Sequence, residues 1–183
     1  MLYIIRHGTT EWNKRHKLQG RTDVPLCKEG RQMAELAAKE YAQVHFDICF
    51  CSPLIRAKET AQILLAGRQV PVFYDDRLME MCFGKYEGIE NSFQIPDCPV
   101  NAFFKDPAHY SPEPDGGESM EELFERTGAF LEERVYPALD RGEDVLIVGH
   151  GAMNSSIVSR IKGLSRADFW REGIENCKLM RLL

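Results

Sequence analysis

Short apolar runs that alternate with segments of helical spacing restrict the possible folds of this chain most. Three runs, Met1 to Arg6, Phe46 to Cys51 and Asp144 to Val148, are almost continuously apolar, and a shorter run spans Val70 to Tyr74. Such runs are typical of strands that are buried on both faces, as in a parallel sheet. We therefore predict four strands, with a fifth, edge strand in the tail from Asn176 to Leu183.

The segments between the apolar runs have the spacing of helices. In Gly30 to Tyr41, apolar residues recur three and four positions apart, which predicts a helix with one apolar face. A second helix is predicted to begin at Ser52 as the N-cap, with Pro53 as its first residue, and to continue to Gly67. Both helices are expected to pack on the sheet.

The carboxyl-terminal half repeats this alternation. Ser119 and Glu122 match a capping box at the start of a long amphipathic helix, and Pro137 is predicted to end or bend that helix. A further helix is predicted after Gly151. Strands that alternate with helices predict an α/β fold, a three-layer sandwich with a mostly parallel central sheet.

The chain length indicates one domain. A chain of 183 residues can bury an apolar core as a single unit, so we expect one domain over residues 1–183. The segment at about 88–118 is rich in turn-forming residues and contains the aromatic residues Phe93, Phe103, Phe104 and Tyr110. We predict that this segment is a small cap inserted beside the sheet.

Charge and composition exclude several classes of function. The net charge of -5 argues against broad binding to nucleic acid or to an anionic membrane. The sequence has neither a membrane-spanning apolar stretch nor a signal-peptide pattern, which makes a cytoplasmic location the expectation. None of the six cysteines forms a CxxC pair, so we interpret them as small buried hydrophobic residues.

The residues that follow the predicted strands share one chemistry. Arg6 and His7 come at the end of the first run, His150 follows the last run, and Arg56 lies within one helical turn of the second. Because ligands of open α/β sheets bind beyond the carboxyl ends of the strands, these four side chains are expected to converge. Gly8 and Gly151, which directly follow the two histidines, are expected to let a ligand approach closely.

Two histidines beside two arginines indicate a phosphate site. An arginine guanidinium pairs with two phosphate oxygens at once, and a histidine can attack phosphorus with one ring nitrogen while the other is held by a hydrogen bond. The arginines would repel a divalent cation, and no carboxylate adjoins His7 or His150. We therefore expect an oxyanion site, with no metal and no cofactor.

Cleavage of a phosphate ester requires a group that protonates the ester oxygen as it leaves, and residue spacing does not identify this proton donor. Four carboxylates follow the Val70 to Tyr74 run, and each is a candidate: Asp75, Asp76, Glu80 and Glu87.

The chain resembles the histidine phosphatase superfamily, in its phosphoglycerate mutase-like branch. Six segments carry the resemblance in the family's order: Ile5-Arg6-His7-Gly8-Thr9-Thr10-Glu11-Trp12-Asn13, Gly20 to Leu26, Ser52 to Ala61, Glu80 to Gly88, Gly116-Gly117-Glu118-Ser119 and Val148-Gly149-His150-Gly151. A short Arg-His-Gly match alone would be weak, whereas this ordered set is specific.

The resemblance implies a role for each site residue. It implies that His7 is the phosphorylated nucleophile and that Glu80 is the proton donor. It further implies that the phosphate pocket is completed by Arg6, Arg56 and His150. Substrate contacts are implied for Asn13, Gln19, Gly20 and Gly151. Two positions depart from the family pattern: Cys27 replaces a threonine or serine, and Tyr86 replaces a tryptophan that could form part of the pocket wall.

The expected function is hydrolysis of small-molecule phosphate monoesters through a phosphohistidine on His7. One alternative is phosphoglycerate mutase-type transfer of the phosphoryl group to a second hydroxyl. The compact 88–117 segment favours hydrolysis, because mutases of the family tend to carry larger insertions. A second alternative is a non-catalytic phosphate-binding module. The expected partner is a small phosphate ester, and the sequence determines neither the ester nor the oligomeric state.

Overall fold

The computed structural model of the chain describes residues 1–112 and 116–183. Its strands are β1 (Leu2–Arg6), β2 (Ile48–Cys51), β3 (Val72–Tyr74), β4 (Val145–Gly149) and β5 (Leu179–Arg181). Its α-helices are α1 (Glu11–Lys14), α2 (Lys28–Glu40), α3 (Ile55–Leu64), α4 (Asn101–Lys105), α5 (Met120–Phe130), α6 (Tyr136–Asp140) and α7 (Gly151–Lys162). Short 3₁₀ turns span Asp76–Leu78, Gly84–Tyr86, Ser92–Gln94, Pro107–His109 and Arg166–Asp168.

The described strands form one mostly parallel sheet in the order β3-β2-β4-β1-β5. The first four strands of that order run parallel, and β5 pairs antiparallel with β1 at the edge. Arg6 pairs with Gly149, and Cys51 pairs with Val148, so β1, β2 and β4 end at the same edge. The predicted sheet, including its late edge strand, is confirmed.

Helices cover both faces of the sheet. Successive residues of β1 face opposite sides: Ile4 packs in one apolar cluster with Phe130 of α5, and Ile5 packs in another with Ala34 of α2. All four side chains are almost fully buried. The three-layer α/β architecture is therefore confirmed, and its buried parallel strands are long apolar runs because neither face contacts water.

Helix α3 begins later than its sequence predicts. Its N-cap is Leu54, and the N–H of Ile55 donates to Asp23 Oδ1 at 2.7 Å, so a side chain from another loop caps the helix. Ser52 is not the N-cap, because its hydroxyl is bonded to His150. The predicted start at Ser52 and Pro53 is wrong, and α3 also ends before Gly67.

Pro137 does not end the long helix after Ser119. The capping box of Ser119 and Glu122 is present at the start of α5. A π-helical segment, Leu131–Val135, then joins α5 to α6, and Pro137 lies in the first turn of α6. A proline is tolerated there because the N–H groups of a first turn have no partner in their own helix.

The segment at about 88–118 contributes to a third apolar cluster. Within its described part, Val100 and Phe103 are fully buried and pack with Leu123 of α5 and with Phe169. The assignment of residues 1–183 to one domain with an inserted cap stays a prediction, and part of that cap, residues 113–115, lies outside the described residues. No helix formed by the described residues is long and apolar enough to cross a membrane.

Candidate active site

The two predicted histidines meet at the shared edge of β1 and β4. The backbone N–H of His7 donates to the carbonyl of Gly149 at 3.0 Å, which continues the parallel pairing by one residue. The ring centroids of His7 and His150 are 5.2 Å apart. Both rings are almost completely buried. Two residues 143 positions apart in the sequence are thus neighbours because parallel strands end together.

The hydrogen bond of the His7 ring defines its tautomer. Its Nδ1 lies 2.7 Å from the carbonyl oxygen of Gly8. A carbonyl only accepts hydrogen bonds, so Nδ1 carries the proton and Nε2 keeps a lone pair. Burial lowers the pKa of His7 well below its usual value, and the charges of Arg56 and Arg6 lower it further. The ring is therefore neutral at physiological pH.

His150 is held by a serine. Its Nε2 lies 2.7 Å from Ser52 Oγ, and this hydroxyl also accepts the N–H of Leu54 at 3.3 Å. When the hydroxyl donates its proton to Nε2, the ring's own proton lies on Nδ1. Within the described part of the chain, Nδ1 of His150 is buried and has no hydrogen-bond partner. In that tautomer the buried Nδ1–H is a donor without an acceptor among the described residues.

Burial and nearby positive charge also keep His150 neutral. Burial lowers the pKa of His150 well below its usual value, and the charge of Arg56 is the next largest cause. A neutral imidazole donates from only one nitrogen, and the Ser52 hydroxyl pairs with Nε2 in either tautomer, as a donor or as an acceptor.

The two arginines supply the positive charge. Arg56 is completely buried and donates to the carbonyls of Gly20 (2.6 Å) and Thr22 (2.9 Å), which fix the plane of its guanidinium. Burial lowers the pKa of Arg56 to about 10, so the group stays charged at neutral pH. Arg6 donates to the carbonyl of Ile174 at 2.9 Å, and burial lowers its pKa also.

Glu80 lies at the amino-terminal end of α7. Its Oε1 accepts the N–H groups of Met81 (2.8 Å) and Met153 (3.0 Å), and its Oε2 accepts the N–H of Ala152 at 3.2 Å. The positive end of the helix dipole and these N–H groups hold the carboxylate in one place. Oε2 accepts one of these bonds, and Oε1 accepts two.

The structure separates the four carboxylate candidates. Asp75 is bonded to Arg77, with which it forms an ion pair of 2.8 Å. Asp76 is exposed, and Glu87 accepts hydrogen bonds from backbone N–H groups of the loop at residues 21–22. Only Glu80 is among the described residues that line the cavity in front of His7.

This cavity has a volume of about 190 Å³ and is lined by most of the predicted site residues. His150 is buried behind it, against His7. The predicted residues that line it are Arg6, His7, Asn13, Gln19, Gly20, Arg56, Glu80 and Gly151.

The predicted substrate contacts are held by the loop after β1. Asn13 Oδ1 accepts the N–H of Thr10 at 3.0 Å, and Gln19 Oε1 accepts the hydroxyl of Thr10 at the same distance. With these oxygens engaged, the amide NH₂ groups are the parts that remain as donors. Gly20 has a φ of +55°, and a Cβ there would lie 2.1 Å from the Glu87 carboxylate, so glycine is required for packing.

Sequence reasoning did not find several residues of the site. Ser52 directly follows β2, so the rule that site residues lie just beyond the strand ends could have identified it. The pattern Ser52-Pro53 instead suggested a helix cap. Lys17 and Trp170 also line the cavity, and Phe83 contributes an aromatic ring. No local sequence signal marks these three residues, because they reach the site from loops.

The described residues include one group that could hold a cation, outside the cavity. Glu11, Cys27 and Glu29 bring their ligand atoms close together. Lys14 Nζ lies 3.3 Å from Glu11 and 3.2 Å from Glu29, so a lysine already balances their charge. This group has no residue in common with the cavity in front of His7.

Comparison with known proteins agrees with this geometry. A family model of the histidine phosphatase superfamily (branch 1) matches residues 2–183. The chain belongs to this superfamily. It is 32% identical to a 2,3-bisphosphoglycerate-dependent phosphoglycerate mutase of Cytophaga hutchinsonii, over 92% of this chain and 80% of that protein. It is 28% identical to phosphoserine phosphatase 1 of Hydrogenobacter thermophilus, over 96% of this chain and 82% of that protein.

Solved structures give the same relationship. The structure of Bacillus stearothermophilus YhfR matches with a TM-score of 0.85 and 32% identity, over 97% of this chain and 88% of that one. This histidine phosphatase superfamily member is therefore an enzyme that acts on phosphate esters, in a group that contains both phosphatases and phosphoglycerate mutases.

The two departures from the superfamily pattern have small effects. Cys27 caps α2 with its sulfur, which accepts the N–H of Gly30 at 3.4 Å, so the cap is weakened rather than lost. Tyr86 packs against the apolar cluster that contains Phe83 and Phe103, and of these three residues only the two phenylalanines line the cavity.

Proposed function

We propose that this enzyme hydrolyses small-molecule phosphate monoesters through a phosphohistidine on His7 and needs no metal ion. One observation carries the proposal: the neutral His7, whose Nε2 keeps its lone pair, faces a single cavity with two guanidinium groups and one carboxyl group. The guanidinium groups bind a phosphoryl dianion, and the carboxyl group is the proton carrier. A non-catalytic binding module would need no proton carrier.

The reaction has two steps. In the first, Nε2 of His7 attacks phosphorus, the ester P–O bond breaks, and protonated Glu80 gives its proton to the departing oxygen. In the second, water attacks phosphorus, the P–N bond breaks, and Glu80 takes a proton from the water. Arg6, Arg56 and the Nδ1–H of His150 stabilise the equatorial oxygens in both steps.

Hydrolysis is favoured over mutase transfer by the compact 88–117 segment, because mutases of the family tend to carry larger insertions there. A mutase must retain its phosphorylated state until a second sugar acid binds, which requires more cover over the site than water attack does. We therefore rank phosphatase activity first and phosphoglycerate mutase activity second.

Release of nitrophenol from 4-nitrophenyl phosphate between pH 5 and pH 8 tests the proposal. We expect turnover that is unchanged by a chelator, because the phosphoryl charge is balanced by arginines. Interconversion of 3-phosphoglycerate and 2-phosphoglycerate, measured in parallel, is expected to be slower than hydrolysis. Activity that disappears with the chelator and returns with zinc would contradict the metal-free proposal.

The Ser52→Ala variant tests the role of His150. Without the hydroxyl, Nε2 of His150 loses its partner, and the ring no longer keeps its proton on Nδ1. We expect kcat to fall about 10-fold to 100-fold, by analogy with partners that orient metal-bound histidines. Nitrogen-15 NMR of the ring should show that the Nδ1–H form is less populated.

Ser159→Ala is the matched control for this variant. Ser159 is also buried, but its hydroxyl has no hydrogen-bond partner among the described residues. We expect Ser159→Ala to keep the kcat of the wild type. A Ser52→Ala protein with wild-type kcat and an unchanged ring spectrum would show that Ser52 does not position His150.

A further inference from the structure

The cavity has two chemically different halves. The inner half holds the phosphate-binding groups already described. The outer half is apolar, and its described lining comes mainly from the aromatic rings of Phe83, Phe103, Phe104 and Trp170, and from Leu18, which packs against the same apolar cluster. The outer half is where the part of the substrate beyond the ester oxygen must lie.

The aromatic side of the outer half is rigid. Trp170 Nε1 donates to the carbonyl of Phe103 at 3.0 Å, which fixes the indole. The ring of Phe104 stacks on Trp170 with a centroid distance of 5.7 Å and an interplanar angle of 20°. Phe103 meets the same indole edge to face at 5.2 Å. A ligand ring therefore meets surfaces that need little further ordering on binding.

The outer half is poor in positive charge. Besides Arg6 and Arg56, Lys17 is the cation among the described lining residues. Its Nζ lies 3.9 Å from Glu90 and 5.6 Å from the centre of the Trp12 ring. A substrate carboxylate would have to compete with Glu90 for this partly buried lysine, so the net gain from pairing with it is small.

A second cavity extends the apolar surface. It has a volume of about 380 Å³ and shares Lys17, Leu18 and Phe104 with the first. It also includes Phe93, whose exposed fraction of 58% is high for a phenylalanine. Phe104 therefore stands between two cavities, and a leaving group larger than one ring has space to continue past it.

We propose that the preferred substrates are monoesters of neutral, ring-bearing alcohols or phenols, whose ring packs on Phe104 and Trp170. Monoesters whose leaving group carries a carboxylate are disfavoured. The inference rests on the proposed phosphatase function and adds the class of leaving group. It follows from what the outer half offers: aromatic faces for a ring, and no arginine for a carboxylate.

Two pairs of substrates test this preference through kcat/KM. Phenyl and 1-naphthyl phosphate have leaving groups of similar acidity and differ by one ring, and we expect the naphthyl ester to be favoured about tenfold. Benzyl phosphate and O-phosphoserine are both alkyl esters, but benzyl phosphate carries a neutral ring where phosphoserine carries a carboxylate and an ammonium group. We expect benzyl phosphate to be favoured by at least about tenfold.

The Phe104→Ala variant tests whether the ring of Phe104 causes the preference for the naphthyl ester. We expect the naphthyl-to-phenyl ratio to fall toward one, whereas Phe104→Leu, which keeps apolar volume, should retain part of it. Phe73→Ala is the control, because Phe73 is a half-exposed phenylalanine on β3, away from both cavities. It should leave the ratio unchanged.

The outcomes separate the two proposals. A wild-type protein that hydrolyses phosphoserine better than benzyl phosphate, or a Phe104→Ala protein with the wild-type naphthyl-to-phenyl ratio, would overturn the leaving-group inference and leave the phosphatase function intact. A folded wild-type protein that hydrolyses none of the four esters would instead overturn the phosphatase function.

Discussion

Replacement of His7 by alanine is expected to reduce kcat/KM for phosphate esters by at least about 10⁴-fold. Removal of a covalent nucleophile has effects of this size in other enzymes, and only binding and charge stabilisation remain. Here the remaining groups are Arg6, Arg56 and His150, which can hold a phosphate but cannot form a bond to phosphorus. Water would have to attack the ester directly.

A trapped intermediate separates the role of His7 from a loss of folding. After mixing with a ³²P-labelled monoester and rapid quenching, the wild type is expected to carry a phosphoryl group that is stable in alkali and lost in acid, as a phosphohistidine is. The His7→Ala protein should carry none, while circular dichroism shows a folded chain that still binds vanadate through the two arginines.

His109→Ala is the control for the nucleophile. This histidine is 81% exposed and paired with Asp106, and it is not among the described residues that line the cavity. It should keep full activity and full labelling. Wild-type turnover by the His7→Ala protein, or acid-stable labelling of the wild type, would rule out a phosphohistidine on His7.

The strand ends of the site are predictable from sequence for a physical reason. A strand buried on both faces is a continuous apolar run, so its end is visible wherever the run stops. In a parallel sheet all such ends lie on one edge, and Arg6, His7 and His150 could therefore be placed together without coordinates. The register that pairs Arg6 with Gly149 confirms their proximity.

Other parts of the site depend on contacts that leave no local pattern. Glu80 is distinguished from Asp75, Asp76 and Glu87 by the N–H groups of α7, which lies about 70 residues later in the chain. Spacing alone could not show which carboxyl group the helix would meet. Trp170 reaches the cavity through a bond to the backbone of Phe103, and such a long-range contact is set by packing.

The glycine at position 8 is needed for a different reason from the one that the sequence suggested. The glycine after His7 was expected to allow close approach of a ligand. In the structure a Cβ at Gly8 would lie 2.4 Å from the carbonyl oxygen of Gly30, so the glycine is required where the loop after β1 crosses the start of α2. The carbonyl of Gly8 also accepts the Nδ1–H of His7, so the position of this residue fixes the histidine ring.

The arginines have two linked effects on the histidines. In the proposed mechanism their charge binds the phosphoryl group, and after burial, which is the largest cause, the same charge lowers the pKa of both His7 and His150. A protonated His7 could not attack phosphorus, so the proposed substrate-binding groups also favour the reactive form of the nucleophile. Once a phosphoryl dianion binds between them, its negative charge offsets the arginines and favours positive charge on the rings.

The Glu80→Gln variant should show a second large effect, which depends on the leaving group. Glutamine cannot carry a proton, so we expect kcat to fall about 10²-fold to 10⁴-fold for alkyl esters, whose departing oxygen needs protonation. With 4-nitrophenyl phosphate the leaving group departs without a proton, so the rate of the first step should be nearly that of the wild type. The second step still needs a base, so the phosphohistidine should accumulate and nitrophenol should appear as a burst of one equivalent.

The contacts of Glu80 set how this variant must be controlled. A glutamine oxygen can still accept the N–H groups of Met81 and Met153, but its NH₂ would face the N–H of Ala152, which costs about 1 to 3 kcal/mol of stability. Asp76→Asn, at an exposed candidate carboxylate, should change neither rate. A loss of stability would lower kcat equally for both kinds of substrate and would give no burst of nitrophenol. An equal loss of kcat without a burst would therefore identify Glu80 as a structural residue rather than the proton carrier.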